Sequence, residues 1–196
     1  MAVKRQNKPS EFTLSKREVR QLVNGAPTFL YRCIIKMFVQ TGIRRFELAA
    51  LDLRDIDMKR RHLHIRNGKG GKERTVIITE DLLTDLKHLV GSRKTGPIFM
   101  SNRGGAYSLR AVNKIVTQVG TAAAVEHPDP TKTNITCHLL RHTFARQWKK
   151  DPTRSRESLS KILGHASLAT TEDEYGTETI QDVQENYDGA IADMYL

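Results

Sequence analysis

The chain has 196 residues, of which 38% are hydrophobic and 28% charged, a composition that predicts a folded domain with its own core and argues against a disordered chain. Lysine and arginine outnumber aspartate and glutamate by 32 to 22, and the net charge of +10 favours a polyanionic partner such as nucleic acid. No apolar run approaches the ~18 residues of a membrane span. The two cysteines, Cys33 and Cys137, lack a CxxC pattern and indicate neither a disulfide framework nor a zinc site, so a cytoplasmic, intracellular location is expected.

The first part of the chain predicts helices. Residues 1–12 are polar and basic and are expected to form a flexible arm. Ser15 and Glu18 stand three residues apart, as in a capping box that begins a helix. The segment 30–38 is apolar over a wide arc, which predicts a largely buried second helix ending near Gly42.

A change of sequence period then predicts strands. After a short helix around 44–50, apolar and polar residues alternate over 62–66 and again over 76–78. The glycine-rich segment 67–71 lies between them, so the two half-buried strands form a β-hairpin. Residues 55–58 are expected to add a third strand.

Helical spacing returns in the second half of the chain. The predicted fold class is mainly α (α+β), a single helical domain with a small antiparallel sheet. Further helices are predicted over 82–89, 112–119, 138–150 and 156–163, with a last amphipathic stretch near the end. The expected organisation is an arm over 1–12, the domain over 13–178 and a C-terminal amphipathic tail over 179–196.

Two groups of polar residues have the spacing of a shared helix face. His138, Arg141 and His142 stand at i, i+3 and i+4, where a guanidinium grips phosphate oxygens and an imidazole exchanges a proton. Arg44 and Glu47 repeat the i, i+3 relation. Taken alone, the first group is more typical of a polar stripe on a surface helix, and the second of an exposed ion pair.

Three more candidates lie near predicted turns or helix ends. Lys69 stands at the tip of the hairpin, with Lys72 as a nearby rival for the same role, although most turn lysines are simply solvated. His165 follows a helix end, and Tyr175 comes soon after it. Tyr187 falls on the apolar face of the last helix, which favours packing in the core or against a partner.

The order of these motifs adds what none provides alone. The segments TGIRRFELAALDLRDID, NGKGGKERTVIIT, HLLRHTFA and LGHASLATT, followed by a tyrosine, closely resemble the catalytic domain of the tyrosine recombinases, or phage integrase family, over roughly residues 12–180. The resemblance implies a catalytic set consisting of Arg44, Lys69, His138, Arg141, His165 and Tyr175. It also implies supporting roles for Glu47 and His142, and DNA contacts by Arg45, Lys72 and Arg74.

The resemblance further implies the reaction. The chain is expected to be a site-specific recombinase (an integrase) that cleaves and rejoins strands of double-stranded DNA through a 3′-phosphotyrosine, without ATP, metal or other cofactor. It is expected to act as a homotetramer on DNA and to be a monomer when free. The C-terminal helix is expected either to dock on a neighbouring protomer or to pack on its own domain.

Two departures from the family pattern keep alternatives open. Tyr175 follows His165 by ten residues, one more than is usual in the family, and the acidic run Glu172–Glu174 precedes it. A topoisomerase IB-like nicking and closing activity and a catalytically impaired DNA-binding regulator are the alternative hypotheses. A metal-dependent nuclease or transposase is disfavoured, because the sequence has no clustered carboxylates for a two-metal site.

Overall fold

The structure, a computed structural model, describes residues 12–66, 73–164 and 180–195. Its helices are α1 (Lys16–Asn24), α2 (Phe29–Thr41), α3 (Arg45–Ala50), α4 (Glu80–Val90), α5 (Leu109–Ala122), α6 (Cys137–Lys149), α7 (Arg156–Leu163) and α8 (Ile180–Tyr195). Its strands are β1 (Ile56–Asp57), β2 (His62–Ile65) and β3 (Arg74–Ile77). The predicted fold class, mainly helical with a small antiparallel sheet, is confirmed.

Local sequence signals set several of the element ends. Ser15 and Glu18 form the predicted capping box at the start of α1. Helix α2 ends at Gly42, whose left-handed backbone (φ 60°) is a conformation that glycine adopts without steric cost. Helix α7 ends in the same way at Gly164 (φ 61°). Both helix ends face the site described below.

The predicted hairpin is confirmed as β2 paired antiparallel with β3, with Leu63 opposite Val76. The third predicted strand is the two-residue β1, which pairs with the other edge of β2. Leu63, Ile65 and Val76 are buried, so one face of the sheet covers the helical core. This packing holds the start of β3 against the end of α7.

The core is built around α2 and α6. Nine consecutive residues of α2, from 33 to 41, are buried, which a helix enclosed on all sides requires. Helix α6 presents Phe144 and Trp148, both fully buried, to this core. Within the described residues, no helix combines the length and the apolar character needed to cross a membrane.

Helix α8 packs against its own domain in this structure. Tyr187, Ala190, Ile191 and Met194 are buried, and the Tyr187 hydroxyl donates to the carbonyl of Gln40 at 2.9 Å. This is the core-packing alternative for Tyr187, which accounts for its position on the apolar face of the helix.

Candidate active site

A buried carboxylate, Glu47, organises the site. It lies in the first turn of α3, where its Oε2 accepts from the backbone N–H of Arg44 at 2.7 Å and its Oε1 from the guanidinium of Arg44 at 3.0 Å. Arg74 reaches it from β3 and donates to both oxygens, at 2.6 and 2.8 Å. The carboxylate therefore fixes two arginines in one charge-assisted network.

The protonation state of Glu47 follows from these contacts. Burial alone raises the pKa of the Glu47 carboxyl, but the hydrogen bonds from Arg74 and Arg44 and the charge of Arg74 outweigh it and hold the pKa below its ordinary value. Glu47 is thus an anion at neutral pH, although its side chain is fully buried.

Backbone carbonyls at two helix ends hold the arginines that line the site. Arg141, on α6, donates to the carbonyl of Gly42 at the end of α2 and to that of Leu163 at the end of α7, the latter at 2.9 Å. Arg44 donates to the carbonyl of Gly164 at 3.3 Å. Carbonyls at a helix C-terminus carry partial negative charge, so they attract guanidinium groups and fix their orientation.

The cluster carries an excess of positive charge. Three arginines, Arg44, Arg74 and Arg141, lie around the single carboxylate of Glu47, which hydrogen-bonds with Arg44 and Arg74 and interacts with Arg141 only through its charge. Burial, followed by the charges of Arg44 and Arg74, lowers the pKa of Arg141 to about 10, which leaves it charged at neutral pH. A site of this kind repels further cations and stabilises an anion that approaches it.

A cavity of about 440 Å³ opens beside the cluster. None of the residues that line it is acidic, because Glu47 does not reach its surface. The lining consists of Ile43, Arg44, Arg45, Phe46, Asn113, Thr136, Cys137, His138 and Arg141. The three guanidinium groups and one imidazole in this lining provide hydrogen-bond donors for the oxygens of a phosphate diester.

Two histidines of α6 meet at the edge of this cavity. The rings of His138 and His142 make a T-shaped contact with centroids 4.5 Å apart. His138 is exposed, whereas His142 is half-buried, and its burial, followed by the charges of His138 and Arg141, lowers its pKa. His142 is therefore held neutral beside an imidazole that is open to the cavity.

The structure brings together some of the residues predicted from the sequence. Arg44, Arg45, His138 and Arg141 line one cavity, Glu47 lies behind Arg44, and His142 lies beside His138. The remaining predicted residues lie outside the described residues, and they are Lys69, Lys72, His165 and Tyr175.

Arg74 does not line the cavity, unlike Arg45, the other predicted DNA-contacting residue in the described ranges. The resemblance predicts that Arg74 contacts DNA, whereas its side chain is only 8% exposed. Its guanidinium donates to Glu47 and, through Nε, to the carbonyl of Ile162 at 2.9 Å. Arg74 is therefore an internal partner of Glu47. The alternating sequence of β3 does not indicate this contact, because the partners of Arg74 lie on other elements, α3 and α7.

Five residues that line the cavity were not among the predicted site residues, namely Ile43, Phe46, Asn113, Thr136 and Cys137. Thr136 had a detectable signal, since its hydroxyl caps α6 by accepting from the N–H of Leu139 at 3.1 Å. The described residues contain no group of three or more His, Cys, Asp or Glu that could hold a metal ion.

The fold and the arginine–histidine site are those expected of the phage integrase family. The chain belongs to the phage integrase family, whose sequence model matches residues 13–181. It is 32% identical over 167 residues to the tyrosine recombinase XerA of Pyrococcus furiosus, an alignment that covers 82% of this chain and 55% of the relative. The chain spans about half the length of the curated relatives it matches.

Solved structures agree with this membership. A crystal structure of XerA recombinase superimposes with a TM-score of 0.69 and 25% identity, over 97% of this chain and 65% of that one. Lambda integrase (residues 75–356) bound to DNA has a TM-score of 0.62 and 22% identity, over 80% of this chain and 56% of that one, and this likeness concerns the fold alone.

Proposed function

We propose that the chain is the catalytic part of a site-specific DNA recombinase that breaks and rejoins DNA strands through a covalent phosphotyrosine. The observation that carries the proposal is the pair Arg44 and Arg141, both held by helix-end carbonyls at one acid-free cavity. The names of the relatives support recombination over the topoisomerase-like and regulator hypotheses. The partner that we infer is double-stranded DNA, which is the ligand of lambda integrase in its complex.

The proposed reaction begins with attack on a phosphodiester. The Tyr175 oxygen forms a bond to phosphorus as the bond from phosphorus to the 5′ oxygen breaks, which leaves a 3′-phosphotyrosine and a 5′-hydroxyl. A second 5′-hydroxyl then reverses the step on another strand. The energy of the broken ester is kept in the new one, so ATP is not needed.

The two arginines are proposed to stabilise the charge that develops on the non-bridging oxygens. They are oriented before the substrate arrives, so little reorganisation opposes the reaction. Glu47 and Arg74 act behind them as positioning residues. Removing a donor of this kind typically costs about 100- to 1,000-fold in rate.

The remaining groups are assigned to proton transfer. A free tyrosine has a pKa near ~10, so its proton must leave as the bond to phosphorus forms. His138 or His165 is proposed to accept that proton, and Lys69 to protonate the departing 5′ oxygen. His142 keeps the ring of His138 in place, and Arg45 and Lys72 are proposed to contact neighbouring phosphates. No step requires a metal ion or another cofactor.

The test is the capture of a covalent intermediate. A pool of nicked suicide duplexes of random sequence is incubated with the protein and a chelator, and DNA that stays attached under denaturing conditions is recovered and sequenced. The expected result is an enriched site whose adduct is lost in Tyr175→Phe. Tyr187→Phe is the matched control, because the side chain of that tyrosine is fully buried in the core. An adduct that survives Tyr175→Phe and disappears in Tyr187→Phe would overturn the assignment of the nucleophile, and one that requires a metal would overturn the mechanism.

The proposal extends to organisation and assembly. Residues 13–178 are assigned to the catalytic domain and 179–196 to a C-terminal segment. We infer a monomer in free solution and a homotetramer on two duplexes, in an intracellular, DNA-associated setting. Light scattering coupled to size-exclusion chromatography, with and without the enriched site, measures both states. A mass that corresponds to a single protomer on saturating DNA contradicts the tetramer.

A further inference from the structure

The cavity beside the arginine cluster is lined by more than phosphate-binding groups. Phe46 and Asn113 also line it, and they add an aromatic ring and an amide to the guanidinium and imidazole groups. The reaction proposed above gives no role to Phe46 and Asn113.

Phe46 is unusual for its exposure. In the described ranges, large apolar side chains are exposed at three positions only, and Phe46, at 38%, is the one of these that lines the cavity. The other two are Met100 and Leu109. An aromatic face left in water beside a phosphate site gains free energy when a flat, apolar surface covers it.

Asn113 is oriented by a buried neighbour. Burial raises the pKa of Cys137 to about 11, so this group is a thiol at neutral pH, and its Sγ donates to Oδ1 of Asn113 at 3.2 Å. The acceptor end of the amide is thereby occupied. Within the described part of the chain, Nδ2 of Asn113 makes no hydrogen bond, which leaves it as a donor for a ligand in the cavity.

We propose that Phe46 and Asn113 form a base-binding subsite of this cavity, in which the base of the nucleotide adjoining the scissile phosphate stacks on Phe46 and accepts a hydrogen bond from Asn113. The inference rests on the proposed strand exchange. A cleaved strand end must leave its duplex before it joins another, so its terminal base loses its stacking partner. An aromatic platform beside the phosphate replaces that partner, and it is tolerant of sequence because every base has a π-face. The cavity, at about 440 Å³, lies within the usual size range for ligand sites.

Mononucleotide probes test the subsite without knowledge of the recombination site. Binding of thymidine 3′,5′-bisphosphate and of its base-free analogue, 1,2-dideoxyribose 3,5-bisphosphate, is measured by NMR titration of the whole chain. We expect the thymidine compound to bind about five-fold or more tightly than the base-free one. Phe46→Ala reduces this ratio to about one, whereas Phe46→Trp preserves it.

Two control variants separate this inference from the proposed function. Leu109→Ala removes an equally exposed apolar side chain outside the cavity and leaves the ratio unchanged. Arg141→Gln weakens both probes together, because both carry phosphates. Two results would overturn the base subsite and leave the phosphate-binding role of Arg44 and Arg141 intact. One is a ratio near one in the unaltered protein. The other is an unchanged ratio in Phe46→Ala while Arg141→Gln still weakens the binding of both probes. Probes insensitive to Arg141→Gln bind elsewhere and overturn the subsite as well, while the covalent adduct remains the separate test of the reaction.

Discussion

Two clusters of charged side chains in this domain differ in their balance. Around Glu47, three arginines surround one carboxylate, and two of them hydrogen-bond with it. On α2, the buried Lys36 contacts Asp85 and, at 2.5 Å, Asp81, while Arg32 lies 3.7 Å from Asp85. The second cluster is therefore matched, with two cations and two anions.

The difference shows what each cluster is suited to do. A matched cluster satisfies its own charges and contributes to the structure, because an added anion gains little from it. The cluster around Glu47 has a surplus of positive charge, which an added phosphate compensates. A larger cavity of about 670 Å³ adjoins the Lys36 cluster, and it is lined by cations and anions together: Arg20, Arg32, Lys36 and Arg61 with Glu80, Asp81 and Asp188. Its positive charge is therefore largely balanced, whereas the smaller cavity beside Glu47 has no acidic residue in its lining.

The largest expected effect comes from breaking the matched cluster. Lys36→Met leaves the buried Asp85 without its closest cation and should lower the free energy of unfolding by about 3–5 kcal/mol. Chemical denaturation measures this loss. The covalent-adduct rate of the folded protein should stay close to that of the unaltered chain. A large fall in that rate, with folding intact, would show that the two clusters do not have separate roles.

Arg141→Gln alters the arginine cluster around Glu47. It should slow adduct formation, which Lys36→Met is expected to leave nearly unchanged. We expect the rate of adduct formation to fall by about 100- to 1,000-fold, because the remaining guanidinium faces the developing charge alone. Single-turnover kinetics on the enriched site measures the rate, and denaturation checks that the variant is folded. Arg141→Lys is the informative companion, since it keeps the charge and loses the fork that spans Gly42 and Leu163. Full activity in Arg141→Lys would mean that charge, and not bidentate geometry, is what the site requires.

Much of this fold could be predicted from the sequence, because its signals are local. The capping box at Ser15 and the glycine at the end of α2 depend on a few neighbouring residues, and both predictions were confirmed. The hairpin followed from alternation around glycines. These signals are strong because backbone geometry alone determines them.

The site was only partly predictable, for the opposite reason. The spacing of Arg44 with Glu47, and of His138 with Arg141, lies within single helices and is visible in the sequence. The partnership of Glu47 with Arg74 joins residues 27 apart and depends on how β3 packs against α3 and α7. The contact of Arg141 with the Gly42 carbonyl joins residues 99 apart. Contacts of this range are set by tertiary packing, and no periodicity reports them.

Gly164→Ala tests the support behind the arginines. A Cβ at this position would lie 2.7 Å from Cδ of Arg74, and the backbone is left-handed. We expect a loss of about 1–3 kcal/mol in stability, together with a slower adduct step as Arg74 is displaced from Glu47. Gly91→Ala is the control for backbone strain without a steric clash, because its φ is also positive and nothing lies within 4 Å of its Cβ position. Its ψ of −129° is less favourable for alanine than the left-handed backbone of Gly164, so it is expected to lose at least as much stability and to keep its adduct rate. An unchanged adduct rate in Gly164→Ala, or an equal fall in both variants, would remove the role assigned to the packing of Arg74.

The smallest expected effect is a pH dependence of the stability, which arises from Glu47 in the arginine cluster. The folded-state pKa of Glu47 lies below its ordinary value, so its carboxylate stabilises the fold above the unfolded-state pKa, and that contribution is lost as the pH falls through the folded-state value. The unaltered chain should therefore exceed Glu47→Gln in stability most strongly at neutral pH, and the gap should narrow below about pH 4. Urea denaturation at a series of pH values measures the gap. Glu73→Gln, an exposed carboxylate beside Arg74, measures the general effect of losing one carboxylate. If the stability difference between the unaltered chain and Glu47→Gln stays constant down to low pH, the negative charge of Glu47 is not what supports the arginines. Its shape and hydrogen bonds would then be sufficient.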